Sequence, residues 1–237
     1  MTSLSKNLGF VLAGLVIACA NARAATLVGT NFDVIYNPAA VGLFGLPSLS
    51  GNTVFFNPTN FKAESLNDAG VVTNNQTIVF DIVPRAGFKV TGSNLIERGD
   101  YLMRNTSSFV DVQGQTRGFA IAAPLTEVTD NIVTTAPLTV LNVSTNWTGT
   151  SFLNLSSLQA SPSGYRITIE NLLLAYTDSS ASGLRQAFIE KKFAGDAISL
   201  EVIGVVPEPE QWALMLGGLA LLGWAARARR SAADVAA

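Results

Sequence analysis

Seven carboxylates in the middle of the chain, Asp33, Asp81, Glu97, Asp100, Asp111, Asp130 and Glu170, have side chains able to carry chemistry. Two carboxylates flanking a sugar linkage could hydrolyse it, one as general acid and the other as base or nucleophile. No spacing singles out a pair, and the plainer reading is solvated strand faces and turns. The 237-residue chain has no histidine and one cysteine, Cys19. Ser-His-Asp and Cys-His catalysis and histidine-based zinc sites are therefore excluded. Loop Asp and Asn oxygens could bind calcium, but no Asp-x-Asp-x-Asp-Gly run gathers them. The expectation is a protein that is not an enzyme, with no catalytic residue, no metal and no cofactor.

Sugar binding would use exposed aromatic rings. Trp147, Tyr101, Tyr165 and Tyr176 are available, and Trp147 is the best candidate for glycan contact because residues 142–150 are polar. Arg98-Gly99-Asp100 is expected as a turn between strands, and Lys191-Lys192 as a wet strand end. Asn-x-Ser/Thr triplets occur at Asn75, Asn105, Asn142, Asn146 and Asn154. They mark either glycosylation or polar strand faces rich in Asn, Ser and Thr.

The elements that position these residues are strands. Tyr165, Ile167 and Ile169 alternate with Arg166, Thr168 and Glu170, the period-2 signature of a strand with one wet face. The pattern recurs at Phe32, Val34 and Tyr36, at Ile78, Phe80 and Ile82, and at Ile198, Leu200 and Val202. Turn signals such as Asn57-Pro58 and Ser161-Pro162-Ser163-Gly164 separate the runs. No long helical apolar stripe interrupts them. The expected fold is all-β, a single antiparallel β-sandwich or jelly-roll-like domain over 25–205. Residues 25–206 carry 14 acidic against 10 basic residues. A net charge of that sign argues against nucleic acid as a partner.

Both ends point to export. Lys6 precedes an apolar run at 8–20, and Ala22-Arg23-Ala24 puts small residues at both positions a signal peptidase reads. Residues 1–24 are expected as a secretory signal peptide cut after Ala24. Cys19 offers a competing, lipoprotein-like reading, in which lipid attaches to its thiol. At the other end, Val206-Pro207-Glu208-Pro209 precedes an apolar run at 212–226 and the basic cluster Arg227, Arg229 and Arg230. Fifteen helical residues span about 22 Å against a hydrocarbon core of about 30 Å, so the segment is a marginal transmembrane helix. The arginines place residues 231–237 in the cytoplasm as a short tail and the domain outside. Pro207 and Pro209 keep the preceding stalk extended, the form a protease accepts.

Together the triplet, the apolar run and the arginines resemble the PEP-CTERM sorting signal of Gram-negative bacteria, over residues 206–230. The resemblance implies an exosortase-type membrane enzyme as partner, cutting near Pro-Glu-Pro in species that make extracellular polysaccharide. It implies attachment to the inner membrane facing the periplasm before processing, then release or transfer to the cell surface or matrix. Residues 231–237 depart from the family pattern, which often ends at its basic cluster. Three further stretches resemble a subgroup of exported proteins bearing this tail: 87–101, 169–175 and 187–193. That likeness implies one continuous domain and no activity. The function expected is a non-enzymatic surface or matrix protein associated with exopolysaccharide; the alternative is a secreted glycan-binding or glycan-acting protein with the same tail.

Overall fold

The computed structural model describes residues 24–206, apart from 159–160, 162, 179–182 and 195, together with residue 219. The segment at 1–23, including Ala22, and the sorting segment from Pro207 to the basic cluster fall outside it. Among the described residues there are fourteen strands, most with alternating burial: β1 (Ala25–Val28), β2 (Phe32–Tyr36), β3 (Ser48–Ser50), β4 (Thr53–Phe56), β5 (Lys62–Leu66), β6 (Gly70–Pro84), β7 (Lys89–Arg104), β8 (Ser108–Ala120), β9 (Glu127–Asn131), β10 (Val133–Thr134), β11 (Thr145–Asn154), β12 (Tyr165–Thr177), β13 (Gln186–Glu190) and β14 (Ile198–Val205). The four alternating runs expected from the sequence lie in β2, β6, β12 and β14.

Two antiparallel sheets result. One has the order β1-β2-β6-β12-β8-β9, with β12 paired along its whole length to β6 on one side and β8 on the other. The second runs β10-β11-β7-β14-β4-β3. Its axis is the 16-residue β7, which is long enough to take two partners in succession along one edge. β14 pairs with residues 89–97 of β7, and β13 with residues 100–104, where β5 adds a further strand outside β13.

The sheets face one another over a single apolar cluster. Ile167, Ile169, Leu173 and Ala175 from β12 meet Leu95 and Tyr101 from β7, Ile189 from β13 and Leu200 from β14, all buried. Phe56 and Phe80 pack ring against ring from opposite sheets at 5.8 Å. Burying one such side chain contributes about 1.5–3 kcal/mol. Hydroxyl pairs also cross the gap: Ser65 on β5 contacts Thr177 on β12 at 2.7 Å, and Thr116 on β8 contacts Ser151 on β11 at 2.5 Å.

Arg98-Gly99-Asp100 is not a turn. It lies inside β7, with Gly99 opposite Trp147 and Asp100 opposite both Asn146 and Glu190. Glycine is needed there because a Cβ would fall 1.8 Å from the carbonyl oxygen of Glu190. Three of the five asparagines of the Asn-x-Ser/Thr triplets shape the backbone, and Asn75 and Asn146 lie in β6 and β11. Asn105 and Asn142 adopt positive φ of 80° and 62°, which Asn tolerates better than most residues. Asn154 accepts from the backbone N–H of Ser156 to cap a 3-10 turn.

Candidate functional site

Each sheet sends a polar residue into the apolar space. On β7 the inward positions run Leu95, Glu97, Gly99, Tyr101; on β12 they run Ile169, Asn171, Leu173. Lys191 follows β13 directly and continues the inward parity of Ala187 and Ile189. Its backbone N–H donates to the carbonyl of Phe61 at 2.9 Å, which carries the chain one residue past the end of the strand.

These three side chains close a triangle. The Lys191 ammonium pairs with Glu97 Oε2. Glu97 Oε1 accepts from Asn171 Nδ2 at 2.5 Å, and Asn171 Oδ1 accepts from Lys191 Nζ at 2.8 Å. The side chains of Glu97 and Lys191 are 0% exposed, and Asn171 is equally inaccessible. Rings of Trp147 and Phe61 each lie 5.3 Å from Nζ. Such contacts favour the cation. Burial works the other way and pushes the Lys191 ammonium down from its ordinary range, with Glu97 pulling back up. An ion pair this deep is costly to desolvate and becomes more so if either partner is lost.

Lys191 is thus no wet strand end. Lys192 beside it is solvated, its ammonium 3.3 Å from Glu190. The expectation failed because the inward parity of β13 persists one residue beyond its ladder. Glu97 likewise departs from the solvated-carboxylate reading.

Trp147, expected as a glycan platform, is 4% exposed. Its indole N–H donates to the Glu190 carbonyl at 3.2 Å and its ring faces Lys191, which leaves too little exposed ring for a stacking platform. Tyr101 and Tyr165 are also buried, and Tyr176 is half-buried.

The other candidate carboxylates are engaged locally. Asp33 meets Arg85 at 2.8 Å, Asp81 takes two bonds from Arg166 at 2.7 and 2.9 Å, and Glu170 lies 3.6 Å from Arg117. Asp130 accepts from the Phe152 N–H, Asp111 from the Val112 N–H, and Asp100 from Ser144 Oγ. The Arg85 guanidinium holds the Asp33 carboxyl below the usual range, and Asp81 raises Arg166.

At the ends of the domain, Ala24 is exposed just before β1, and Val206 is exposed just after β14. Pro207, Glu208, Pro209, Arg227, Arg229 and Arg230 lie outside the described residues. Among the described residues no helix is long and apolar enough to cross a membrane.

Residues 205–230 match the PEP-CTERM protein-sorting motif. No curated protein matches the chain. The chain therefore carries the sorting tail of exported, exosortase-processed proteins, and that tail begins where the last strand ends.

Proposed function

We propose that this is an exported, non-enzymatic β-sandwich protein that a C-terminal helix at 212–226 holds in the inner membrane until an exosortase cuts near Val206-Pro207-Glu208-Pro209. The observation that carries this reading is the meeting of fold and motif: β14 stops at Val205 and the motif starts at the same residue. Val206 is exposed just after the last strand, and prolines at 207 and 209 cannot donate to a sheet ladder, which suits a segment offered to a protease. The undersized apolar run and the arginines suit temporary retention with the tail kept inside. After cutting, the domain passes to the cell surface or the exopolysaccharide matrix.

Its role there is that of a structural component. Supporting this, the carboxylates Asp33, Asp81 and Glu170 are committed to arginines and Glu97 to the buried triangle. The deciding measurement is the intact mass of the protein recovered from medium and from membranes, in cells with and without the exosortase. The expected result is a chain ending near 206–209 in the medium when the enzyme is present, and membrane retention of residues 212–230 when it is absent. Surface-located protein that keeps 212–230 in an enzyme-bearing host would overturn the reading.

A further inference from the structure

We propose that Lys191 and Asn171 become joined by an isopeptide bond between Nζ and Cγ, formed within the folded sandwich with Glu97 as proton shuttle and ammonia as the leaving group. This inference rests on the buried triangle alone and is independent of how the tail is processed.

Geometry supplies the first requirement, a nucleophile beside its electrophile. Nζ lies 2.8 Å from Asn171 Oδ1. A carbonyl bond of about 1.2 Å then keeps it within about 4 Å of Cγ, close to attack distance. The second requirement is one group touching both the entering and the departing nitrogen. Glu97 meets it, with Oε2 on Nζ and Oε1 on Nδ2 at 2.5 Å. The amide orientation matters: the future leaving nitrogen faces the carboxyl group, and the carbonyl oxygen faces the amine.

Third, the nucleophile must be a neutral amine. Burial disfavours the ammonium, and the carboxylate in contact with it is a ready proton acceptor. Fourth, water must stay out, because hydrolysis of the carboxamide would compete. The triangle is sealed between the sheets under Trp147 and Phe61.

The steps balance without any co-reactant. Lys191 passes one proton to Glu97 Oε2, leaving a neutral amine and a carboxylic acid. The amine lone pair forms the Nζ–Cγ bond while the carbonyl π pair moves onto Oδ1. Glu97 gives its proton to Nδ2 and takes a second from Nζ. The Oδ1 pair then returns, the Cγ–Nδ2 bond breaks, and the nitrogen departs with its electrons as ammonia. The products are a secondary amide and a neutral Glu97 acid. One buried ion pair has been exchanged for two neutral, hydrogen-bonding groups, which removes the desolvation cost of holding two charges in the core. Ammonia, small and neutral, leaves toward the cleft lined by Thr59, Asn60, Phe61, Glu190, Lys191 and Lys192, which Lys191 itself borders.

The product ties β12, at the centre of one sheet, to the chain just after β13 in the other. Unlike a disulfide, the link is insensitive to reductants, and it suits a domain whose residues 25–206 contain no cysteine.

The test is a tryptic digest of the folded full-length protein with tandem mass spectrometry. Cleavage after Arg166, Arg185 and Lys192 should yield peptides 167–185 and 186–192 as one branched species. Its mass should fall short of their sum by one ammonia, about 17 Da, with fragment ions placing the branch at Asn171 and Lys191. Lys191→Met and Asn171→Ala should each abolish it. The near-isosteric Glu97→Gln, checked for folding by circular dichroism, should fold without accumulating it. Recovery of free 186–191 with unmodified Asn171 from folded wild-type protein would overturn the proposal, whatever the variants do. Full joining in Glu97→Gln would overturn the shuttle.

Discussion

The indole N–H of Trp147 donates to the carbonyl oxygen of Glu190 at 3.2 Å, one residue before the buried ammonium of Lys191. Trp147 belongs to β11, and its ring both anchors the end of β13 and roofs the triangle. Replacement with Phe keeps most of the packing and removes one hydrogen bond to the Glu190 carbonyl, which should cost about 0.5–1.5 kcal/mol. Replacement with Ala removes the roof as well and should cost about 3–5 kcal/mol. Urea unfolding of the two variants reads the difference. A Trp147→Ala protein of unchanged stability that has lost affinity for polysaccharide would instead restore the glycan-platform expectation.

Gly99 controls how closely β7 and β13 approach. Its added Cβ would stand 1.8 Å from the Glu190 oxygen and 2.7 Å from the indole nitrogen, both fixed by the bond just described. At Gly149, directly across from Glu97, the nearest atom would be a methyl group of Ile132 at 3.2 Å. Gly99→Ala should therefore lower the melting temperature clearly, in line with overpacking costs of about 1–3 kcal/mol. Gly149→Ala should lower it much less. Equal effects would mean that β13 can shift away from β7 freely.

Much of this architecture was legible in the residues. Alternation at Tyr165, Ile167 and Ile169 fixed a strand, and the structure buries all three. The same parity rule, carried two residues further, places Asn171 inward, and along β7 and β13 it places Glu97 and Lys191 inward too. They were missed because charged side chains rarely enter a core without a partner, and the partners here are 74 and 94 residues apart in sequence. Pairing of that kind is set by sheet order, which local patterns do not encode. The three stretches resembling the exported subgroup nonetheless contain Glu97, Asn171 and Lys191, one each. Trp147 failed for a related reason: the polar stretch 142–150 suggested exposure, while β11 turns every second residue inward.

Asp33 and Arg85 clasp the end of β2 against the turn after β6, and Asp33 also accepts from the Gly29 N–H. The Arg85 bond depresses the folded-state carboxyl below its unfolded value. A depressed acid stabilises the fold above the unfolded pKa, about 3.9, and this contribution is lost as pH falls through the lower folded value. Asp33→Asn should accordingly cost a little stability near neutrality, under about 1 kcal/mol because the pair is partly exposed, and the difference from wild type should vanish as pH falls below about 4. Comparing unfolding midpoints of the two proteins between neutral and strongly acidic pH checks this. A difference that persisted undiminished into strong acid, or one that appeared only there, would contradict it.

Release by proteolysis is useful only if the domain survives it, and β14 shows where a cut is harmless. Ile198, Leu200 and Val202 are buried between β7 and β4, and the sheet depends on them. Beyond them the register with β7 shifts at Ile203/Gly204, and Ile203, Val205 and Val206 turn their side chains to solvent. A chain ending at Val206 thus loses no core residue. Its thermal melt in detergent-free buffer should match that of the full chain's outer domain. A chain ending at Ala197 leaves one edge of β7 unpaired over residues 89–97 and takes the ladder partner from the strand that carries Val54 and Phe56, so it should not fold cooperatively. If truncation at Val206 alone lowered the melting temperature by several degrees, the tail would be part of the folded unit and could not be a segment for removal.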